Sequence, residues 1–350
     1  MSHIVLRYYG LAVQPFGVTP DPDFLFLSHT HREAMASLVH GILSARGFSA
    51  LIASPGMGKT TLLFNLMHML KGVATTAFLF QTLCAPKEFL RAFLADLGIE
   101  DSGRDFTRMH AKLNDHLLKE ARRHRHVILI IDEAQNLDER VLEVVRMLSN
   151  FETPQQKLMH VVLAGQPQLE EKVSHPNLTQ LRQRISLIAR LRAFDAAETR
   201  AYIDHRLKLA GFSGDESLFT NEACATIAEY SRGIPRNINN ICFNAMSLGC
   251  ALERDRLDPA IVQEVVRDLT WTNSTTAMPE TTHAKEIQPM ASHPAKPATP
   301  SASRSRLRAV ALTVLSVIGV CSPLAVDQSP QMKPAIVKQT APPSSGLEQL

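Results

Sequence analysis

Two short segments carry the residue types of phosphoryl transfer. The first is Ala53-Ser54-Pro55-Gly56-Met57-Gly58-Lys59-Thr60-Thr61. Glycines ahead of Lys-Thr-Thr let a backbone curl around phosphate, so that its N–H groups face inward and a helix N-terminus adds partial positive charge. In that reading Ser54, Pro55, Gly56, Met57, Gly58, Lys59, Thr60 and Thr61 hold ATP. Lys59 reaches the β- and γ-phosphates, and Thr60 offers its hydroxyl to Mg2+. The usual pattern opens on glycine, and Ala53 is the smallest replacement. The competing reading, a chance glycine-rich turn, is disfavoured by the Gly-Lys-Thr ending and by both flanks. The second segment is Asp132-Glu133-Ala134-Gln135. Asp132 is expected to hold Mg2+ through water, and Glu133 to polarise the attacking water as general base. A helix-capping pair is the competing reading, but Asp138 is the better cap for the helix that follows. Together the segments predict an Mg-dependent ATPase, not a switch that binds ATP without hydrolysing it.

Such residues need particular elements to bring them together. Residues 48–52 read as a buried strand entering the loop. Leu62, Leu63, Leu66, Met67 and Leu70 repeat at helical spacing behind it, and Gly72 closes that helix. Residues 127–131 form a continuous β-branched apolar run, as in a parallel strand buried on both faces, and end in the acidic pair. Carboxylates at the carboxyl end of such a strand stand where open α/β sheets bind ligands. Further strands are expected at residues 74–81, 158–164 and 185–191, with helices at 86–97, 105–124 and 137–148 between them. Gly165-Gln166-Pro167 follows the fourth strand, where a polar side chain faces the γ-phosphate. From Asp195 onward the strands stop. Asp195 with Glu198 is a capping pair, and helices are expected up to Gly211 and over 220–230, 237–252 and 259–269. The fold class is therefore α/β: a P-loop core with a parallel sheet flanked by helices, followed by a small helical lid.

The chain has 350 residues, 45% of them apolar and 20% charged, and a net charge of +3. That suffices for two domains and imposes no global field that demands nucleic acid. The basic cluster Arg122-Arg123-His124-Arg125-His126 has two readings, a nucleic-acid patch or cations favoured at a helix C-terminus; the second is preferred. Cys84, Cys224, Cys242, Cys250 and Cys321 form no CxxC pairs, which suits a reducing compartment and argues against zinc. No signal peptide is expected at the N-terminus. The organisation read from these features is residues 1–48 leading into the nucleotide site, 49–194 as ATPase core, 195–270 as lid, and 271–308 as a disordered linker rich in Pro, Ser and Thr. Residues 309–326 carry no charge over a length near the lower limit for a membrane helix, though Thr313, Ser316, Ser322 and Pro323 interrupt it. Arg304, Arg306 and Arg308 precede it, placing the ATPase in the cytoplasm of a single-pass inner-membrane protein. Residues 327–350 read as a short disordered tail.

Several segments resemble ExeA-like AAA+ ATPases, the general secretion pathway protein A family. They are Tyr9-Gly10 with Pro15-Phe16, Thr19-Pro20-Asp21-Pro22, the phosphate loop, Ile131 to Leu137, and Arg146 to Glu152. Gly165-Gln166-Pro167, Leu181 to Ile185 and Gly233-Ile234-Pro235-Arg236-Asn237-Ile238-Asn239 continue the likeness. The broader group includes helpers of DNA transposition and ATPases encoded with exopolysaccharide export systems. The resemblance implies that Gln166 reads the γ-phosphate and that Arg236 acts from the lid. It implies that Arg184, or else Arg182, serves a neighbouring subunit's nucleotide as an arginine finger. A surface cation at Arg236 and a solvated helix end at Arg182 and Arg184 are the alternatives. The Phe16 region borders the adenine or simply docks by hydrophobic packing. The implied partners are further copies of the chain, a secretion or export machinery, and the membrane through one span; nucleic acid is the alternative partner. In that family the outer part often carries a peptidoglycan-binding domain. Residues 327–350 are too few for one, so the chain is either truncated or works without gripping the cell wall.

Overall fold

The computed structural model describes residues 3–80, 84–100, 105–154, 156–214 and 216–274. The candidate membrane span, the linker beyond residue 274 and the tail lie outside these. Five strands form one parallel sheet: β1 (Phe48–Ile52), β2 (Ala74–Leu79), β3 (His126–Ile131), β4 (Met159–Gly165) and β5 (Ile185–Arg190), in the order β2-β3-β4-β1-β5. Twelve helices accompany them among the described residues. The N-terminal α1 (His3–Tyr8) packs on the lid through Val5, and the core helices are α2 (His29–Leu43), α3 (Lys59–Met69), α4 (Pro86–Asp96), α5 (Phe106–Arg122), α6 (Glu139–Leu148), α7 (Pro167–Val173) and α8 (Thr179–Arg184). The lid has α9 (Ala196–Leu209), α10 (Asn221–Ser231), α11 (Pro235–Ala251) and α12 (Pro259–Ser274).

The continuous apolar runs make sense in a sheet covered on both faces. Val127, Leu129 and Ile131 pack into one buried cluster with Phe89, Phe93, Leu113 and Val145 from α4, α5 and α6. Ile128 and Ile130 point the other way, into a cluster with Leu38, Leu62 and Leu66 from α2 and α3. Strand periodicity thus splits one run between two cores. A third cluster fills the lid, built by Ile203, Ile227, Cys242, Met246 and Val262. Both Cys224 and Cys242 are free thiols inside it.

Caps set the element boundaries. Glu198 N–H donates to Asp195 at 2.7 Å, and Asp195 N–H to Glu198 at 3.4 Å, closing the box that opens α9. Asp138 caps α6 by accepting from Arg140 N–H at 2.8 Å, so that helix begins at Glu139, two residues later than expected. Residues 134–136 form a 3-10 turn instead. Pro235 occupies the first turn of α11, which therefore starts two residues before the expected Asn237.

Core and lid meet at a close approach between Phe194 and Gly233. Phe194 N–H donates to Gly233 O at 2.9 Å. Gly233 has φ +65°, and a Cβ there would stand 1.9 Å from Phe194 O. Gly233→Ala combines a left-handed backbone with a backbone clash and should cost about 2 kcal/mol or more. Denaturant unfolding of the variant checks this; an unchanged midpoint would refute the contact.

Candidate active site

The sheet register aligns the two sequence motifs. Ile52 pairs with Gly165 across β1 and β4, and Ile131 with Leu163 across β3 and β4. The residues after those strand ends, Ala53, Asp132 and Gln166, therefore leave the sheet side by side. The phosphate loop turns at Gly56 (φ +80°) and Gly58 (φ +84°), both in the left-handed region open to glycine. Lys59, Thr60 and Thr61 form the first turn of α3, whose N–H groups have no intrahelical partner.

Lys59 is buried and donates from Nζ to Ala53 O at 3.1 Å. Its ammonium lies 3.8 Å from Glu133 Oε1. Burial lowers its pKa, while Glu133 and Asp132 pull it back up. Thr60 Oγ1 donates to Asp132 Oδ2 at 2.5 Å, and Asp132 Oδ1 accepts from Glu133 N–H at 2.9 Å. Glu133 adopts φ +51°, a strained conformation of the kind that gathers at functional sites. It makes no side-chain cap bond to the turn that follows, so the capping reading does not describe it.

The Glu133 carboxylate is instead held by two amides. Gln135 Nε2 donates to Oε2 at 2.6 Å and Gln166 Nε2 at 3.0 Å. Gln135 Oε1 in turn accepts from Gln166 N–H at 3.1 Å. Both assignments of the Gln135 amide are forced, since a carboxylate only accepts and an N–H only donates. Burial opposes ionisation of Glu133, but the bonds from Gln135 and Gln166 and the charges of Lys59 and Arg236 outweigh it, so the pKa lies below the ordinary value of 4.5.

Lys59, Thr60, Glu133 and Gln166 face a cleft of about 340 Å³ lined also by Gly56 and Arg236, among others, while Asp132 is buried behind Thr60 and does not line it. Pro55, Met57, Gly58 and Thr61 also line it, whereas Ser54 is exposed outside it. Arg236 comes from the lid, and its N–H donates to Gly56 O at 3.2 Å. Arg184 is not brought to this cleft: it lies at the end of α8 and donates to Ser149 Oγ. Arg182 is exposed on the same helix. Of the basic cluster, Arg123 and Arg125 pair with Glu120 at the end of α5.

The far wall of the cleft comes from the segment just after Phe16, a region read from the sequence as either bordering the adenine or docking by hydrophobic packing. Gly17, Val18, Thr19, Pro20 and Asp21 line it as a strap. The lid ties this strap down through buried polar groups. Arg206 donates from Nε to Pro15 O at 2.5 Å and from an NH to Tyr202 Oη at 2.9 Å. Tyr202 Oη donates to Asn239 Oδ1 at 2.8 Å, and Asn239 Nδ2 to Gly17 O at 2.8 Å. What the sequence did not show was these ties, for which the signal is polar residues at core-facing positions of α9 and α11. Phe16 itself packs edge-on against Phe219 in the lid core, with ring centroids 6.2 Å apart. It does not line the cleft.

A strand-loop-helix phosphate site, an acidic pair on the adjoining strand system and a helical lid define the AAA+ class of P-loop ATPases. Residues 42–173 match the AAA domain family. The fold is similar to Cdc6p of Pyrobaculum aerophilum, with TM-score 0.58, 16% identity, and 74% of this chain and 72% of that one covered. It is also similar to the Aeropyrum pernix ORC2 protein, with TM-score 0.53, 18% identity, and 73% and 71% covered. More specifically, the chain is a relative of general secretion pathway protein A of Aeromonas hydrophila, 34% identical over 241 residues. That alignment takes in 69% of this chain and 44% of the relative, so the chain spans less than half of that protein's length.

Proposed function

We propose that the chain binds Mg-ATP in this cleft, hydrolyses it, and uses the cycle as a membrane-anchored homo-oligomer to assist assembly or operation of a secretion or export apparatus. The observation that supports the hydrolytic reading is that Lys59, Thr60 and the doubly held Glu133 line one cleft, with Asp132 bonded to Thr60 behind it. The donor set fits a hard divalent cation. A hydroxyl and a carboxylate oxygen meet at one point, and among the described residues no group of three or more His, Cys, Asp or Glu is placed to hold a metal alone. Phosphate and water would supply the remaining oxygens, as is usual for Mg2+. Thr60 and Asp132 would hold it, and it would neutralise phosphate charge.

The chain's own residues supply the rest. Lys59 and the N–H groups of the loop bind phosphate. Glu133, ionised at neutral pH, accepts the proton of the attacking water. Gln166 touches both that carboxylate and the cleft, so it relates phosphate occupancy to the base. Arg236 brings lid position to bear on the same charge. Arg184 is outside its own chain's cleft and acts on phosphate only if a second copy presents it, which makes turnover depend on assembly.

The anchoring part of the proposal rests on residues 309–326, with the relative's name pointing to the secretion pathway. No helix among the described residues is long and apolar enough to cross a membrane. Membranes from cells expressing the full chain, or a version ending at Arg306, are washed with high salt and with alkaline carbonate. Only the full chain should stay in the pellet. If both versions wash off, the anchor is lost and the DNA-helper reading takes its place.

A further inference from the structure

Beneath the phosphate loop lies a histidine that the hydrolytic chemistry does not use. His31, on the first turn of α2, is 2% exposed. Its Nε2 lies 3.0 Å from Met57 O and its Nδ1 2.8 Å from Ser28 Oγ. A carbonyl oxygen only accepts, so Nε2 must carry the proton. Burial lowers the ring's pKa, and in the neutral ring Nδ1 is then the acceptor, with Ser28 donating to it. Ser28 also caps α2, so the cap and the ring share one hydroxyl. Phe194, at the junction of core and lid, packs against the ring with centroids 5.7 Å apart.

The Met57 carbonyl thus points at His31, away from the cleft. A trans peptide sets the following N–H opposite its carbonyl. Gly58 N–H is therefore directed to the cleft side, and no hydrogen bond among the described residues takes it. Gly58 itself lines the cleft. We infer that His31 is a positioning residue: by donating to Met57 O it fixes the peptide between Met57 and Gly58 so that Gly58 N–H stands ready for phosphate. The inference builds on the proposed ATP site, but its geometric half can be tested without nucleotide.

Nitrogen-15 NMR of the histidine rings in the nucleotide-free protein should find His31 protonated at Nε2 and bare at Nδ1. The opposite tautomer overturns the inference whatever the protein binds. ATP binding to the full chain is then titrated with Mg2+ present. His31→Phe fills the space without a donor and should raise Kd about tenfold or more, leaving kcat at saturation within about twofold. His31→Gln returns an N–H near Nε2 and should recover most of that loss. Wild-type affinity in His31→Phe, or no recovery in His31→Gln when it melts like wild type, overturns the positioning role. If the wild-type chain itself fails to bind ATP, the site assignment has failed, and the tautomer alone decides what His31 does.

Discussion

Glu133→Gln should bind ATP normally and turn it over about 10²–10⁴-fold more slowly, the range expected on losing a positioned general base. The glutamine is isosteric, and its Oε1 can take the place of the carboxylate oxygen that accepts from Gln135 and Gln166. Geometry is thus kept while basicity is removed. An ATP-bound oligomer should accumulate, visible by size-exclusion chromatography with bound nucleotide counted after acid release. Turnover equal to wild type would show that the water is activated elsewhere. The same network sets a pH expectation. Because the pKa of Glu133 is depressed, its charge is complete at neutral pH and is lost only as pH falls below the ordinary 4.5. An acid limb of kcat between pH 6 and 7 would have to belong to another group.

Much of this machinery was legible because its physics is local. A glycine-rich turn between a buried strand and a helix states its own geometry, and residues 48–52 form β1 as expected. The acidic pair is fixed by the end of a run too apolar to be anything but an interior strand. The lid was visible at its start through the Asp195–Glu198 pair, and in the structure Thr220 and Asp258 also each accept from the first turn of their helices. What was not legible depends on distant partners. The order β2-β3-β4-β1-β5 has no signature in any one segment. Yet it is what inserts β4 between the two motifs and so brings Gln166 to Glu133. Gln135 looked like part of a motif, and only the fold shows it bridging Glu133 to the Gln166 backbone. Gly165 makes room for it, since a Cβ there would stand 2.8 Å from Gln135 Oε1. His31 lies in α2, a helix the sequence reading did not anticipate, and nothing in the local sequence marks it. Arg206 reaches a carbonyl 191 residues away in sequence, a tie that no local pattern announces.

Lys59→Ala separates binding from folding in a way few substitutions can. The Lys59 ammonium is buried, and its depressed pKa says that burial disfavours the charge. One carbonyl at 3.1 Å and a carboxylate at 3.8 Å only partly replace the lost hydration. Removing the side chain should therefore leave the thermal midpoint without nucleotide equal to or above that of wild type, even though most substitutions of buried residues lower it. ATP binding should fall by about 10²-fold or more, because a charge-assisted contact to phosphate inside a water-poor cleft is lost with nothing to replace it. The two effects meet in one measurement. Ligand binding raises stability only in proportion to affinity, so saturating Mg-ATP should lift the wild-type midpoint and leave the variant unmoved. A variant that melts far below wild type without nucleotide would make Lys59 a structural residue of the loop. A variant whose midpoint still rises with ATP would mean that the phosphates are held by the backbone alone.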